Sequence, residues 1–311
     1  MNHSDTVGGV DMEQTPGQWA GRAPWLIGAA AFAYLFREPA ITLVRDWWND
    51  PEAAHGLLLG PLAIYLMYRI GLTDARRRQP LLGLVILVGA IALRIGSGLA
   101  AELFTMRMSL LGALLGLAVY WWGLPQIRRW WLPISLLVLT VPIPAVILGT
   151  VALPLQFQAS RMGAALLEWR DVPVSLAGNI IHIPGRSLFV TEACSGLRSL
   201  TALLSLGLLM GGLWLRSVPG RTLLLVLTIP VAMVINGVRV FLTGFLVVFV
   251  DPSLGEGFMH MTEGWLMFVL AFGVLGGVVW ALIRIEDSLR DGRGGTGRGS
   301  PPPAGALEAA G

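Results

Sequence analysis

Residues 222–249 read TLLLVLTIPVAMVINGVRVFLTGFLVVF, and this stretch decides the fold class. A membrane-spanning helix needs about 20 mostly apolar residues. Here such a run carries a single charged side chain, Arg239. Outward from it the same signature recurs at 24–44, 55–69, 80–99, 105–124, 131–150, 193–213 and 262–283, which makes eight predicted spans. The second is short. The first is interrupted by Arg37 and Glu38, so its apolar part is expected to stop near Phe36, with the remainder at the interface. Of the 311 residues, 55% are hydrophobic and 13% charged, against roughly a quarter charged in a soluble domain. The sequence therefore predicts an all-α polytopic membrane protein and excludes a disordered chain.

The segments outside the spans set the organisation. Residues 1–23 are a polar, cytoplasmic N-terminal segment, 24–284 the membrane domain, and 285–311 a Gly/Pro-rich tail expected to be disordered in the cytoplasm. No cleavable signal pattern is evident, so the first span is expected to act as an anchor. All 22 basic residues are arginine. With the N-terminus cytoplasmic, thirteen arginines fall inside and six outside, while Arg94, Arg198 and Arg239 lie within spans. That bias predicts both termini in the cytoplasm. A net charge of +3, with basic residues lying mostly between apolar runs, gives no support for a nucleic-acid partner. The one cysteine, Cys194, excludes an intrachain disulfide and a four-cysteine metal site.

The longest outer segment is 151–192. Leu155, Met162, Leu166 and Trp169 fall on one helical face, with Gln156, Arg161 and Glu168 turned elsewhere, which predicts an amphipathic helix lying on the outer surface. Next comes VPVSLAGNIIHIPGRSLFV, residues 172–190, with turn signals at Gly178-Asn179 and Pro184-Gly185. A small two- or three-stranded β-meander is expected there. It leads directly to Cys194.

Polar residues within spans are expensive in lipid and call for an explanation. In TEACSGLRSL, residues 191–200, Thr191 can cap a helix. Cys194 then falls in the first turn, where the helix dipole favours a thiolate, and Arg198 lies four residues on along the same face. The ordinary reading of a membrane cysteine is inert packing. In INGVRV, residues 235–240, Arg239 lies roughly 25 Å along the span from Thr222, in the outer leaflet. Asn236 is placed to orient it. An arginine that snorkels outward, or pairs with Glu192 or Glu256, is the ordinary reading. His260 lies in GEGFMHMTEGW, residues 255–265, at the outer end of the eighth span. A lone interfacial histidine more often packs than catalyses. Yet Cys194, Arg239 and His260 come from three spans and reach one depth. A cysteine nucleophile needs a base, and acyl transfer needs an oxyanion donor. His55 and His182 are also predicted outside. A metal held by His55, His182 and His260 with Glu192 or Glu263 is conceivable, but no ligand spacing supports it. No metal or cofactor is expected.

Over nearly all of 24–284 the chain resembles the exosortases, membrane-embedded cysteine transpeptidase-like enzymes of Gram-negative bacteria. TEACSGLRSL resembles the family's cysteine motif, INGVRV its arginine motif, and the segment around His260 its histidine motif. WWNDPEAAHGLLLGPLAIYLMYR (47–69), VPIP (141–144) and PLQFQAS (154–160) also match, with Ala54-His55-Gly56 where the family usually has Ser-His-Gly. The resemblance implies Cys194 as nucleophile, Arg239 as electrostatic stabiliser and His260 as acid/base, with Arg198, Asn236, Glu192 and His55 around them. It implies exported protein substrates bearing a C-terminal motif, one membrane helix and an arginine cluster. It also implies an inner-membrane location with a periplasmic active site, membrane lipid as surroundings, a glycan or lipid amine as possible acceptor, and a link to exopolysaccharide and biofilm. From a different class, a polysaccharide or lipid-linked transporter or scaffold would use the buried arginines to bind anions. No internal repeat of the kind common in transporters is evident.

Overall fold

The computed structural model describes residues 23–73, 78–184, 186–189, 197–251 and 257–295. In chain order the helices are α1 (Ala23–Asn49), α2 (Gly56–Ile70), α3 (Pro80–Leu99), α4 (Leu103–Trp122), α5 (Leu124–Arg129), α6 (Trp131–Leu139) and α7 (Ala145–Glu168). Three strands follow, β1 (Ser175–Ala177), β2 (Ile180–Ile183) and β3 (Arg186–Phe189), and then α8 (Leu197–Trp214), α9 (Val218–Phe249) and α10 (Gly257–Gly295). Five helices among the described residues are long and apolar enough to cross a membrane, and Gly56–Ile70 and Leu200–Trp214 are shorter apolar helices. The chain is a helical, multi-pass membrane protein. Eight full-length spans are not reached by this count.

Helices α3 and α4 pack backbone to backbone. A Cβ on Gly83 would fall 2.4 Å from Tyr120 N, and one on Gly116 2.8 Å from Leu87 N. Close approach through small residues is how helices associate where lipid removes the hydrophobic drive. The turn between them passes through Ala101 at φ 53. Glu102 then caps α4, accepting from Phe104 N and Thr105 N. The Thr105 hydroxyl, followed by the Thr105 amide, holds the Glu102 carboxyl below its ordinary value, with desolvation opposing.

Helix α1 lies on this pair, with Phe36 packed beside Ala90 and Ala113. It does not break at Arg37-Glu38, and continues through Pro39 to Asn49. The reason is a partner the sequence does not show: Arg94 Nη2 meets Glu38 Oε2 at 2.7 Å, and Arg94 Nε donates to Leu35 O at 3.1 Å. Arg107, counted among the six outer arginines, sits in the second turn of α4, only 3% exposed, with Nη2 2.7 Å from Asp46 Oδ2.

Helices α2 and α5–α6 run antiparallel between two levels. At one end Gln126, fully buried, accepts from Thr73 N and donates to Gly71 O. At the other, His55 Nε2 is 3.0 Å from Leu139 O and Trp47 Nε1 donates to Thr140 O at 2.9 Å. The Trp47 indole fills a groove made by Gly56 and Gly60, where a Cβ on Gly56 would fall 2.3 Å from Trp47 Cδ1. The expected span 131–150 is therefore corrected. Its first helix has nine residues and ends at Thr140. Pro142 and Pro144 lack amide hydrogens and force their predecessors out of helical geometry.

Helix α8 packs antiparallel on α9, with Gly207 against Thr228 and Gly211 against Leu224. Helix α10 adds Ala271, Leu275, Val279 and Leu282 to a core shared with Leu200, Leu203, Leu224 and Ala232. Glu286 anchors it to the start of α9, accepting from Arg216 N, Ser217 N and the Ser217 hydroxyl. Helix α7 runs parallel to α9: Met162 meets Gly237, Gly163 meets Val240, and Leu167 meets Gly244. It stands lengthwise beside α9, where the sequence predicts a helix lying flat on the surface. The face also differs. Gln156 is 4% exposed and Trp169 76%. Gln156 is buried because its side-chain oxygen accepts from Asn179 Nδ2, and small residues such as Gly163 let α9 come close. The strands form an antiparallel sheet in the order β1-β2-β3. Ile181 and Ile183 of β2 share a core with Ala159, Leu167, Val240 and Val247.

Candidate active site around Arg239

The C-terminal half of α9 carries an enclosed polar pair. Asn236 is 5% exposed, and the Nε of Arg239 is shielded from solvent. Both residues have interaction partners. Gly237 and Gly244 keep this stretch narrow, so Met162 and Leu167 of α7 lie directly on it, and Leu188 of β3 reaches Gly244. Thr243 Oγ1 donates to Arg239 O at 3.0 Å, and the Arg170 guanidinium lies over Phe245, 5.9 Å from the ring centroid. One side of the Arg239 segment is thus roofed by α7 and the sheet.

The helix registers place the other candidates. Gly207 faces Thr228 and Gly211 faces Leu224. Each step toward the start of α8 is a step toward the end of α9, so Arg198, nine residues before Gly207, comes level with Gly237, nine after Thr228. Glu286 is anchored at Ser217 and its carboxylate closes on Gly220. Counting back along α10 brings the backbone of His260 level with residues 243–246 of α9, roughly 6–10 Å beyond Arg239. The structure therefore brings the backbones of Arg198, Asn236, Arg239 and His260 to one end of three packed helices. The side chains of Arg198 and His260, and the whole of Glu192 and Cys194, lie outside the described residues.

His55 serves elsewhere, bonding α6 at the start of α2. His182 on β2 is exposed and has Nδ1 2.8 Å from Ser187 Oγ on β3. Among the described residues no group of three or more His, Cys, Asp or Glu is placed to hold a metal ion; His260, Glu192 and Glu263 of the metal reading fall outside that description. The sequence reading missed the Arg94–Glu38 and Arg107–Asp46 pairs and the Trp47 latch. Each joins residues 56 to 93 positions apart, a separation at which helical periodicity carries no signal.

A family model for the transmembrane exosortases matches residues 47–277. The chain belongs to the transmembrane exosortase family. The matched region begins at the latch residue Trp47 and includes Cys194, Arg239 and His260. No curated protein and no solved structure matches the chain.

Proposed function

We propose that this exosortase is a membrane cysteine peptidase or transpeptidase that cleaves C-terminal sorting signals of exported proteins. The observation that carries the reading is that the backbones of Arg198, Arg239 and His260 lie at the same end of α8, α9 and α10. Helix α8 begins at Leu197, and Cys194 stands three residues earlier in the sequence. The described residues on either side support the same reading: Leu188 packs against Gly244, and Leu200 belongs to the core containing Ala232.

The chemistry is acyl transfer. The Cys194 thiolate attacks the scissile carbonyl carbon, and Arg239 stabilises the oxyanion. Collapse of the tetrahedral intermediate expels the amine, which takes a proton from His260. Water or an amine acceptor then resolves the thioester. Arg198, Asn236 and Glu192 position the charged groups. The substrate ends in a short motif, a membrane helix and an arginine cluster, and its scissile bond lies at the outer face of the inner membrane, in a system linked to exopolysaccharide and biofilm.

The topology that fits has eight crossings, with α5 and α6 together forming the fifth and both termini cytoplasmic. Helices α3 and α4, α2 and α6, α8 and α9, and α9 and α10 are each antiparallel, as alternation requires. The 15 residues of α2 rise roughly 22 Å, a thin crossing. In this reading the sheet is an outer-face insertion, and α7 is an extra helix beside α9.

The test is substrate maturation in a strain carrying Cys194→Ala or Cys194→Ser. Both variants should stay in the membrane and accumulate precursor that retains its C-terminal helix. Normal maturation with Cys194→Ala refutes the cysteine mechanism.

A further inference from the structure

At the end of the bundle opposite Arg239 there is a cleft of about 350 Å³. Its walls come from three helices: Trp131 of α6, Gly207, Leu208 and Gly211 of α8, and Val218, Arg221, Thr222 and Leu225 of α9. The glycines make the space. Their missing side chains let α9 close on α8 at Thr228 and Leu224, and the mostly apolar cleft they line runs to Arg221.

Arg221 is the cation of this cleft. Its guanidinium carbon lies 4.8 Å from the centroid of the Trp131 ring, and its Nε donates to Leu215 O at 3.0 Å. Leu215 O is its hydrogen-bond acceptor among the described residues. Stacking on an indole orients the planar fork and leaves its edge available to an oxyanion. Arg128 and Arg129 end α5 just before Trp131, and Arg216 precedes α9, all three exposed. The neighbouring acid, Glu286, is already engaged by Arg216 N and Ser217. The Ser217 hydroxyl caps α9 by accepting from Gly220 N, and the arginines are the cations offered to an anion in the cleft.

The depth of the cleft is marked independently. Trp25 and Trp121 lie 6.3 Å apart, and Trp122 and Trp130 6.2 Å apart, at the same end as Trp131 and Trp214. Tryptophan clustering of this kind sits at the headgroup level of a bilayer. A basic mouth over an apolar trough at that level matches a molecule with an anionic head and a hydrocarbon body.

We propose that this cleft binds one anionic glycerophospholipid, with its phosphate on Arg221 and the adjoining arginines and an acyl chain along Leu208, Val218 and Leu225. Basic recesses between membrane helices bind acidic lipid headgroups by the same chemistry. The site lies about 27 Å from the Arg239 level along α9, and its test does not depend on the peptidase reading.

The full chain in detergent is titrated with phosphatidylglycerol and, separately, with phosphatidylcholine, and lipid adducts are counted by native mass spectrometry. The wild type should retain one phosphatidylglycerol in preference to phosphatidylcholine. Arg221→Gln should weaken that adduct roughly fivefold or more, about the value of one arginine at a lipid surface. Arg284→Gln removes a charge from α10 at the same end and should leave the adduct unchanged. Thr222→Trp, at an exposed position with no charge change, should fill the mouth and also exclude the lipid, which covers the case of an Arg221 variant that fails to fold. Equal retention of the two lipids, undiminished binding in Thr222→Trp, or complete displacement by excess inorganic phosphate overturns the proposal.

Discussion

Trp47 donates its indole N–H to the carbonyl of Thr140, 93 residues later in the chain. The bond ties α1 to the C-terminal end of α6, just before Pro142 and Pro144 break the backbone. His55 takes the preceding carbonyl, Leu139 O. Two of the orphan acceptors that every helix end leaves are thus satisfied by side chains from one segment.

Trp47→Phe keeps most of the packing on Gly56 and Gly60 and removes the donor. A buried carbonyl left without its partner costs about 1–3 kcal/mol. Gly56→Ala should be worse, because its methyl would overlap the indole. Thermal unfolding of the purified protein in detergent checks both. Wild-type melting of Trp47→Phe would mean that the latch adds nothing beyond packing.

Arg239→Lys should cleave precursor about 10²–10³ times more slowly, the usual cost of losing one oxyanion donor. An ammonium keeps the charge but not the planar, paired donors. Asn236→Ala should show a smaller loss. The measurement is the cleavage rate in membranes with matched enzyme amounts, and near-normal turnover by the Lys variant reduces Arg239 to a structural charge.

His260→Ala should impair turnover strongly and His182→Ala little. His182 is exposed on β2 and bonds Ser187 across the strand pair, whereas His260 sits on α10 at the Arg239 end. Equal losses in the two variants, together with chelator sensitivity, would favour a metal centre instead.

Gly163→Val tests the roof. A Cβ at this position already falls 2.5 Å from Val240 Cγ1, so a branched side chain must push α7 off α9. Activity should fall by at least tenfold, an effect on the scale of an ångström of misplacement near the chemistry. Full activity would show that the packing of α7 on α9 is not needed to shape the site.

Glu102 predicts a pH dependence. Its carboxyl is held below the ordinary value of 4.5 in the folded protein. A depressed carboxyl contributes stability above its unfolded pKa and loses it as pH falls through the folded value. Glu102→Gln should therefore melt lower than wild type at pH 7, and the gap should narrow on acidification below about 4.5. A gap independent of pH would assign the cap no role for its charge.

Much of this architecture is legible one helix at a time. Residues 222–249 announce a span because twenty-eight positions hold one charge, and α3 and α4 begin and end within two residues of their predicted limits. What fails is anything set by a distant partner. Glu38 looks like a helix end until Arg94 is beside it. Arg107 looks like an outer cation until Asp46 and Thr42 take its guanidinium. The face of α7 is misjudged because hydrophobic periodicity weighs Trp169 above Gly163, although it is the glycine that permits contact. The motif residues Arg239 and His260 stand out by type and spacing, whereas their meeting at one end of α8, α9 and α10 needs the glycine and Glu286 registers.

The carboxylate of Glu286 holds Arg216 and Ser217, the two residues ahead of α9, from a position on the last helix of the bundle. During synthesis the ribosome delivers α9, with Arg239, well before Glu286 emerges. Until the final helix enters the membrane, the amides of Arg216 and Ser217, just ahead of α9, have no such acceptor and α8 lacks the neighbour that completes its core. The bundle that carries Arg239 is therefore locked late, once the chain is nearly complete, and a nascent or truncated protein lacking Glu286 holds Arg239 in a frame that has not yet been fixed.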